Sequence, residues 1–271
     1  MNDKQIQSFT FIIRASGEST VKNLKTQLSR QISRGDKLFL LDEKVPFEDK
    51  LRLGYELAIK TDKAFSVFID GDILLRSNAV KRLRKITEKL EESDFGFGLK
   101  LWDRFYNEPK FRGLHVYNTR FLKEAVKHIP KKGEQLRPET YVKEKMSSKG
   151  YKWRNDFVFF VAGLHDFYQR PQDIYYKFLV RSKRSTKDIQ ELKTVFKSMP
   201  TNLEYKVALK GIEDGELMEE VMNDKYLYTY EELKLDYPFS VKNRSSLFVD
   251  ILIFKRLVKR YKFGVYFWKF L

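Results

Sequence analysis

The sequence predicts an α/β fold with a mostly parallel central sheet flanked by helices and a mainly helical C-terminal extension. Three observations predict it. Apolar runs of strand length occur at "SFTFIIRAS" (8–16), "DKLFLLDE" (36–43) and "AFSVFID" (64–70), segments of helical period separate them, and charged residues stand where the runs end. Strands that alternate with helices cross over in the right-handed sense to lie parallel in one sheet. In such sheets ligands bind beyond the carboxyl ends of the strands, which here carry Arg14, Asp42, Asp70 and Asp72.

The elements follow in order. After the first strand, "STVKNLKTQLSRQIS" spaces Val21, Leu24, Leu28 and Ile32 as one face of a helix. "FEDKLRLGYELAIK" reads as the second helix and leads into the third strand. Ser77 is read as the cap of a third helix, "NAVKRLRKITEKLEES", with Val80, Leu83 and Leu90 on one face. Strands are expected at "DFGFGLKLW" (94–102), "FRGLHVYN" (111–118) and within "DFVFFVAGLHDF", and helices at "TRFLKEAVKHI" and "RPETYVKEKMSSKGYKW", the latter ended by Gly150. From Arg170 the pattern is mainly helical. The expected division is a catalytic domain over 1–170 (a nucleotide-binding half, 1–100, and an acceptor half, 101–170) and a helical extension over 171–271.

Composition narrows the chemistry. With 42% hydrophobic and 15% aromatic residues the chain can bury a core, which argues against wholesale disorder. It has no cysteine, so disulfides, thiolate metal sites and thiol nucleophiles are excluded. The N-terminus lacks the basic-then-apolar pattern of a secretory signal and no run of eighteen apolar residues occurs, so the expected location is the cytoplasm, or the cytoplasmic face of a membrane. A net charge of +16 invites a nucleic acid, an anionic membrane surface or a phosphorylated ligand. Against nucleic acid, the sequence carries no zinc finger or RNP motif.

Asp70 and Asp72 flank one glycine at the end of the third strand. Two carboxylates so placed suit a hard divalent cation, manganese or magnesium, with positions left open for phosphate oxygens. The plain alternative is a surface turn. The oily strand before the pair and its place at a carboxyl end favour a site. Haloacid-dehalogenase-type phosphatases also place D-x-D after a strand, but they need Gly-Thr or Gly-Val next, where this chain has Ile73-Leu74.

On these residues the first two-thirds of the chain resembles a GT-A-fold glycosyltransferase, closest to the inverting family 2. "FTFIIRASGESTVKNLKTQLSRQ" is similar to the family's opening strand, loop and helix, and "KLFLLDE" to its second strand. The resemblance implies donor binding by Arg14, Ala15, Asp42 (at the nucleotide base), Arg52 and Asp70, and metal binding by Asp70 and Asp72. "RPETYVKEKMSSKGYKW" resembles the family's acidic motif helix, and aligning Gly150-Tyr151 on its ending puts Glu139 at the catalytic-base position, with Glu144 as the fallback. Two departures stand: Pro138 replaces the first acid, and the base is Glu where the family mostly has Asp. "FVFFVAGLHDF" resembles the strand and turn that supply a metal-binding histidine, which implies His165; His115 and His128 read as structural or solvated.

The resemblance thus implies a metal-dependent transferase that moves one sugar from a nucleotide-diphosphate sugar to a saccharide or lipid-linked acceptor, with inversion, in surface-glycan synthesis. A retaining GT-A enzyme and a non-catalytic saccharide-binding or scaffold protein stay open, as does an oligomer. The last stretch, "SSLFVDILIFKRLVKRYKFGVYFWKFL", winds Ile253, Phe254, Leu257, Val258, Tyr261 and Val265 to one side of a helix and Lys255, Arg256, Lys259, Arg260 and Lys262 to the other. From 241 to 271 there are eight basic residues and one acid. That composition fits a helix lying on an anionic membrane over 245–271, or one that packs its stripe on the catalytic domain or on a second subunit.

Overall fold

The fold is that of a computed structural model, which describes residues 8–155, 160–183, 186–221 and 244–261. It is a mixed α/β architecture with helices on both faces of one eight-stranded sheet. Seven strands run in the order β2 (Lys37–Leu41), β1 (Phe9–Arg14), β3 (Phe65–Asp70), β6 (Glu108–Asn118), β5 (Asp94–Asp103), β8 (Val161–His165) and β4 (Ile73–Leu75), and the two-residue β7 (Lys152–Trp153) also pairs with β5. The first three strands are parallel, as the β-α-β alternation predicts. Beyond them the pairing is mixed: β6 is antiparallel to β3 and β5, and β4 is antiparallel to β8.

Strand alternation sorts the core into two faces. Phe9, Phe11 and Ile13 of β1 join Val67 and Ile69 of β3 under α1 (Val21–Ser29) and α3 (Ala79–Thr87), packing with Leu24, Leu28 and Leu83. Ile12 and Phe68 point the other way, against Leu51 and Tyr55 of α2 (Phe47–Lys60), Leu122 of α4 (Leu122–Ala125) and Val142 and Met146 of α5 (Pro138–Ser148). Burying such side chains stabilises by about 1.5–3 kcal/mol each, so this two-sided pattern fixes the strand registers. The segment expected as one helix over "TRFLKEAVKHI" is instead α4 between two short 3-10 turns. Ser77 does not cap α3: Asn78 precedes the helix, and the Ser77 hydroxyl donates to Asp250.

A separate helical cluster of α6 (Pro171–Arg181), α7 (Thr186–Lys197) and α8 (Leu203–Leu217) closes around Phe105, with Phe178, Phe196 and Tyr205 in ring contact with it. The last described helix, α9 (Ser246–Tyr261), packs on the sheet: Val249, Ile253 and Leu257 are buried against Leu74, Trp102, Leu164 and Phe167. Of the expected basic face, Arg256 turns back over Trp102 and Phe167, and Arg260 pairs with Glu108 at 2.6 Å. Phe254 faces outward. Val265 and the trailing aromatic residues lie outside the described residues. Among the described residues no helix is long and apolar enough to cross a membrane.

Candidate active site

Two polar centres meet at the turn that follows β3. The first is a product of strand register. Arg14 and Asp70 are partners across β1 and β3, so both side chains leave the sheet on the α2–α5 face, the same face as Ile12 and Phe68. Arg14 is 4% exposed; its Nη2 lies 2.7 Å from Asp70 Oδ1 and its Nε donates to the same oxygen at 2.9 Å. Its Nη1 donates at 3.1 Å to Glu139 Oε1. Glu139 sits in the first turn of α5, one turn before Val142 and two before Met146, so the stripe that buries the helix aims the carboxylate at the sheet.

Strand β6 completes this centre. His115 and Tyr117, two residues apart, share the face: Tyr117 donates its hydroxyl proton to Glu139 Oε1, and His115 Nδ1 lies 2.9 Å from the same oxygen. Gly113 adopts φ 59°, and a methyl group there would come within 2.9 Å of Asp70 Oδ2, so glycine lets β6 pass this close. Burial alone would raise the Glu139 carboxyl, but Arg14, then His115 and Lys143, override it and hold it well below the ordinary range. Burial pushes the His115 imidazole down to about 4 despite the pull of Glu139. Burial likewise lowers Lys143, whose ammonium lies 4.0 Å over the Trp153 ring, to about 8.

The second centre lies across Gly71. The Asp72 carbonyl accepts from the Asp166 backbone N–H, and the β4–β8 and β5–β8 registers pair His165 with Ile73 and with Asp103. His165 Nδ1 is 3.0 Å from Asp103 Oδ2 and 3.2 Å from Asp166 Oδ2, while Nε2 is 3.6 Å from Asp72 Oδ2. Asp166 sits at φ 66°, a left-handed conformation that aspartate tolerates. Lys177, reaching in from α6, donates to Asp72 Oδ2 at 2.6 Å and to Asp166 Oδ1. Burial opposes charge on Asp72, but Lys177 and His165 hold its carboxyl below the ordinary range; burial pushes Asp166 up against the same two cations.

Asp72, His165 and Asp166 each offer a ligand atom within 4.8 Å of the others, a buried set that can hold a metal ion. Asp72 Oδ1 and Asp166 Oδ2 are buried without a hydrogen-bond partner, which such an ion would satisfy. One imidazole and two carboxylates suit manganese or magnesium with positions left for phosphate oxygens.

Of the residues singled out from the sequence, the structure brings Arg14, Asp70 and Glu139 into one centre and Asp72 and His165 into the other. Asp42 is exposed beyond β2, and Ala15 is buried beside the turn, its carbonyl accepting from the Lys50 ammonium. Arg52 points to the Val126 carbonyl at 3.5 Å, so the cation that α2 sends to the strand ends is Lys50. Glu144 is exposed. The sequence reading did not single out Tyr117, Asp103, Asp166 or Lys177, and it took His115 for structural or solvated.

No family model matches the sequence, and no curated protein matches it. Among solved structures the chain is similar to S. aureus TarS residues 1–349 (11% identity, 77% of this chain and 71% of that one, TM-score 0.41). It is also similar to the glycosyltransferase GlyE of Streptococcus pneumoniae TIGR4 (12%, 55% and 45%, TM-score 0.35). A third likeness is to a glycosyltransferase involved in the glycosylation of the major capsid of PBCV-1 (8%, 59% and 94%, TM-score 0.39). At these scores the functional reading rests on the chemistry of the site itself.

Proposed function

We propose that this protein is a glycosyltransferase that moves one sugar from a nucleotide-diphosphate sugar to a saccharide or lipid-linked saccharide acceptor, with inversion. The observation that supports it most is the division of labour across Gly71: Asp70 belongs to a centre with a carboxylate of its own, Glu139, and Asp72 to a centre fit for a cation. Transfer with inversion needs both, a base for the acceptor hydroxyl and positive charge for the departing diphosphate.

A divalent ion held by Asp72, His165 and Asp166 would supply that charge when bound. Arg14, buried and permanently charged, is the second cation within reach of a phosphate beyond the strand ends. Glu139 stays ionised while Arg14 is on it, which makes it a weak base. Once Arg14 turns to a bound phosphate, Glu139 loses its main cation and its proton affinity rises, so donor binding readies the base.

Glu139→Gln tests this assignment. The variant should keep nucleotide-sugar binding, measured by thermal shift with manganese, while transfer drops at least a hundredfold; turnover near the normal rate would remove Glu139 from the mechanism. A second reading, a non-catalytic saccharide-binding protein, is favoured by the four groups (Arg14, His115, Tyr117 and Lys143) that already surround the Glu139 carboxylate. Binding of nucleotide sugars without turnover by the unaltered protein would select it.

A further inference from the structure

The cation centre already has a cation. Lys177 holds Asp72 and Asp166, the two carboxylates of the set that could hold a metal ion, and its ammonium lies within hydrogen-bond distance of both. Further cations face the carboxylates around the set. Asp72, Asp103 and Asp166 are met by Lys177, by Arg112 (3.6 Å from Asp103 Oδ2) and by Arg181, one turn beyond Lys177 on α6. Arg181 and Arg112 are fixed by stacking, both against the Tyr106 ring. Lys177 is the only one of these three cations that touches two members of the Asp72–His165–Asp166 set, and its four-carbon stem can swing without moving the backbone.

An ammonium and a divalent ion held by the same carboxylate pair, in a buried site, would repel too strongly to share it. The ammonium also leaves the set half used. Asp72 Oδ1 is buried without a hydrogen-bond partner and Asp166 Oδ2 faces only His165 Nδ1, at 3.2 Å, so an ion with six or more oxygen positions would take what a lysine does not reach. We propose that Lys177 is the resting occupant of this centre and that a divalent ion binds only by displacing its ammonium from Asp72 and Asp166. Metal entry is then coupled to a side chain of the helical cluster, since Lys177 comes from α6 rather than from the sheet. The inference rests on the cation-centre part of the functional reading and is independent of sugar transfer.

The test is manganese binding to the full chain, followed by electron paramagnetic resonance and by thermal shift, with no sugar present. Lys177→Met should bind Mn2+ at least tenfold more tightly than the unaltered protein. It should melt lower without metal, and saturating Mn2+ should raise its Tm by more than it raises that of the unaltered protein. Lys177→Gln, which keeps a hydrogen-bond-donating amide but no charge, should show the same direction if the methionine variant folds poorly. Equal or weaker Mn2+ affinity in a folded neutral variant overturns the role of Lys177 alone. Failure of Mn2+ to bind either protein overturns the cation centre itself, and with it the metal half of the functional reading.

Discussion

The two centres on either side of Gly71 are built from the same side-chain types and differ in what they leave over. Around Arg14, one guanidinium with a fork of fixed donors spans Asp70 and Glu139, and Tyr117 and His115 close in on the same Glu139 oxygen that Arg14 Nη1 contacts. Around Asp72, three carboxylates meet a lysine and a histidine, and two buried carboxylate oxygens, Asp72 Oδ1 and Asp166 Oδ2, accept no hydrogen bond. The difference teaches that acidic residues alone do not define a cation site. A permanent arginine, here stacked over the Phe47 and Phe68 rings, makes its carboxylates structural until something draws it away, whereas a flexible lysine keeps its carboxylates exchangeable.

The comparison can be broken at Arg14. Arg14→Met leaves Asp70 and Glu139 without their shared cation, and breaking a buried pair costs about 3–5 kcal/mol. Because the Asp70 side chain is 34% exposed, a loss near the lower end, about 3 kcal/mol, is expected in urea unfolding. No metal should restore it, in contrast to the lysine variants of the other centre; a loss under 1 kcal/mol would show that this centre is not held by its arginine.

Acid should loosen the same centre in a defined window. The folded His115 titrates at about 4, against an ordinary imidazole value of about 6.5. Between those values the unfolded chain binds a proton at His115 that the folded chain does not, so the His115 contribution to stability falls as pH drops from about 6.5 to about 4, while Asp70, which burial pushes up to about 6, works in the opposite sense. The loss should reach at most about 3 kcal/mol. His115→Asn should flatten that slope in unfolding curves taken across the window; an unchanged slope would assign the acid sensitivity elsewhere.

The smallest effect belongs to the divider. A methyl group on residue 71 would stand 2.7 Å from Glu18 Oε2 and 2.9 Å from Val21 Cγ2, so the Glu18 side chain in the loop after β1 and the start of α1 would both have to shift. Gly71→Ala should cost about 1–2 kcal/mol of stability and disturb both centres together. A change in metal affinity without any fall in Tm would show that the glycine serves the cation side alone.

Much of this was legible in the sequence where burial forces a pattern. The run β1–α1–β2–α2–β3 announces itself because each strand is apolar on both faces and each helix repeats its apolar residues at three and four. Arg14, Asp70 and Asp72 could be named because they interrupt that pattern at strand ends. The contact between Arg14 and Glu139 could not, since it depends on α5 folding over the sheet 125 residues later in the chain. His115 and Tyr117 did carry a signal, a polar pair at strand spacing in an apolar segment. Lys177 carried one too, a lysine inside "IYYKFLV" where the helix is otherwise buried, but lysine is common throughout this extension and the signal is weak. Strands β4 and β7, three and two residues long, are too short for any period to show.

Strand β4, which follows directly from the aspartate turn, has a consequence for how the protein is made. Its Leu74 is covered by β8 and by α9, and Arg76 just beyond it is tied to Asp250, 174 residues downstream. Chains emerge from the ribosome N-terminal end first. The parallel strands can therefore assemble early, while the edge beside the aspartates stays bare until α9 has been synthesised. The chemistry-bearing corner thus waits for a helix encoded far downstream of it.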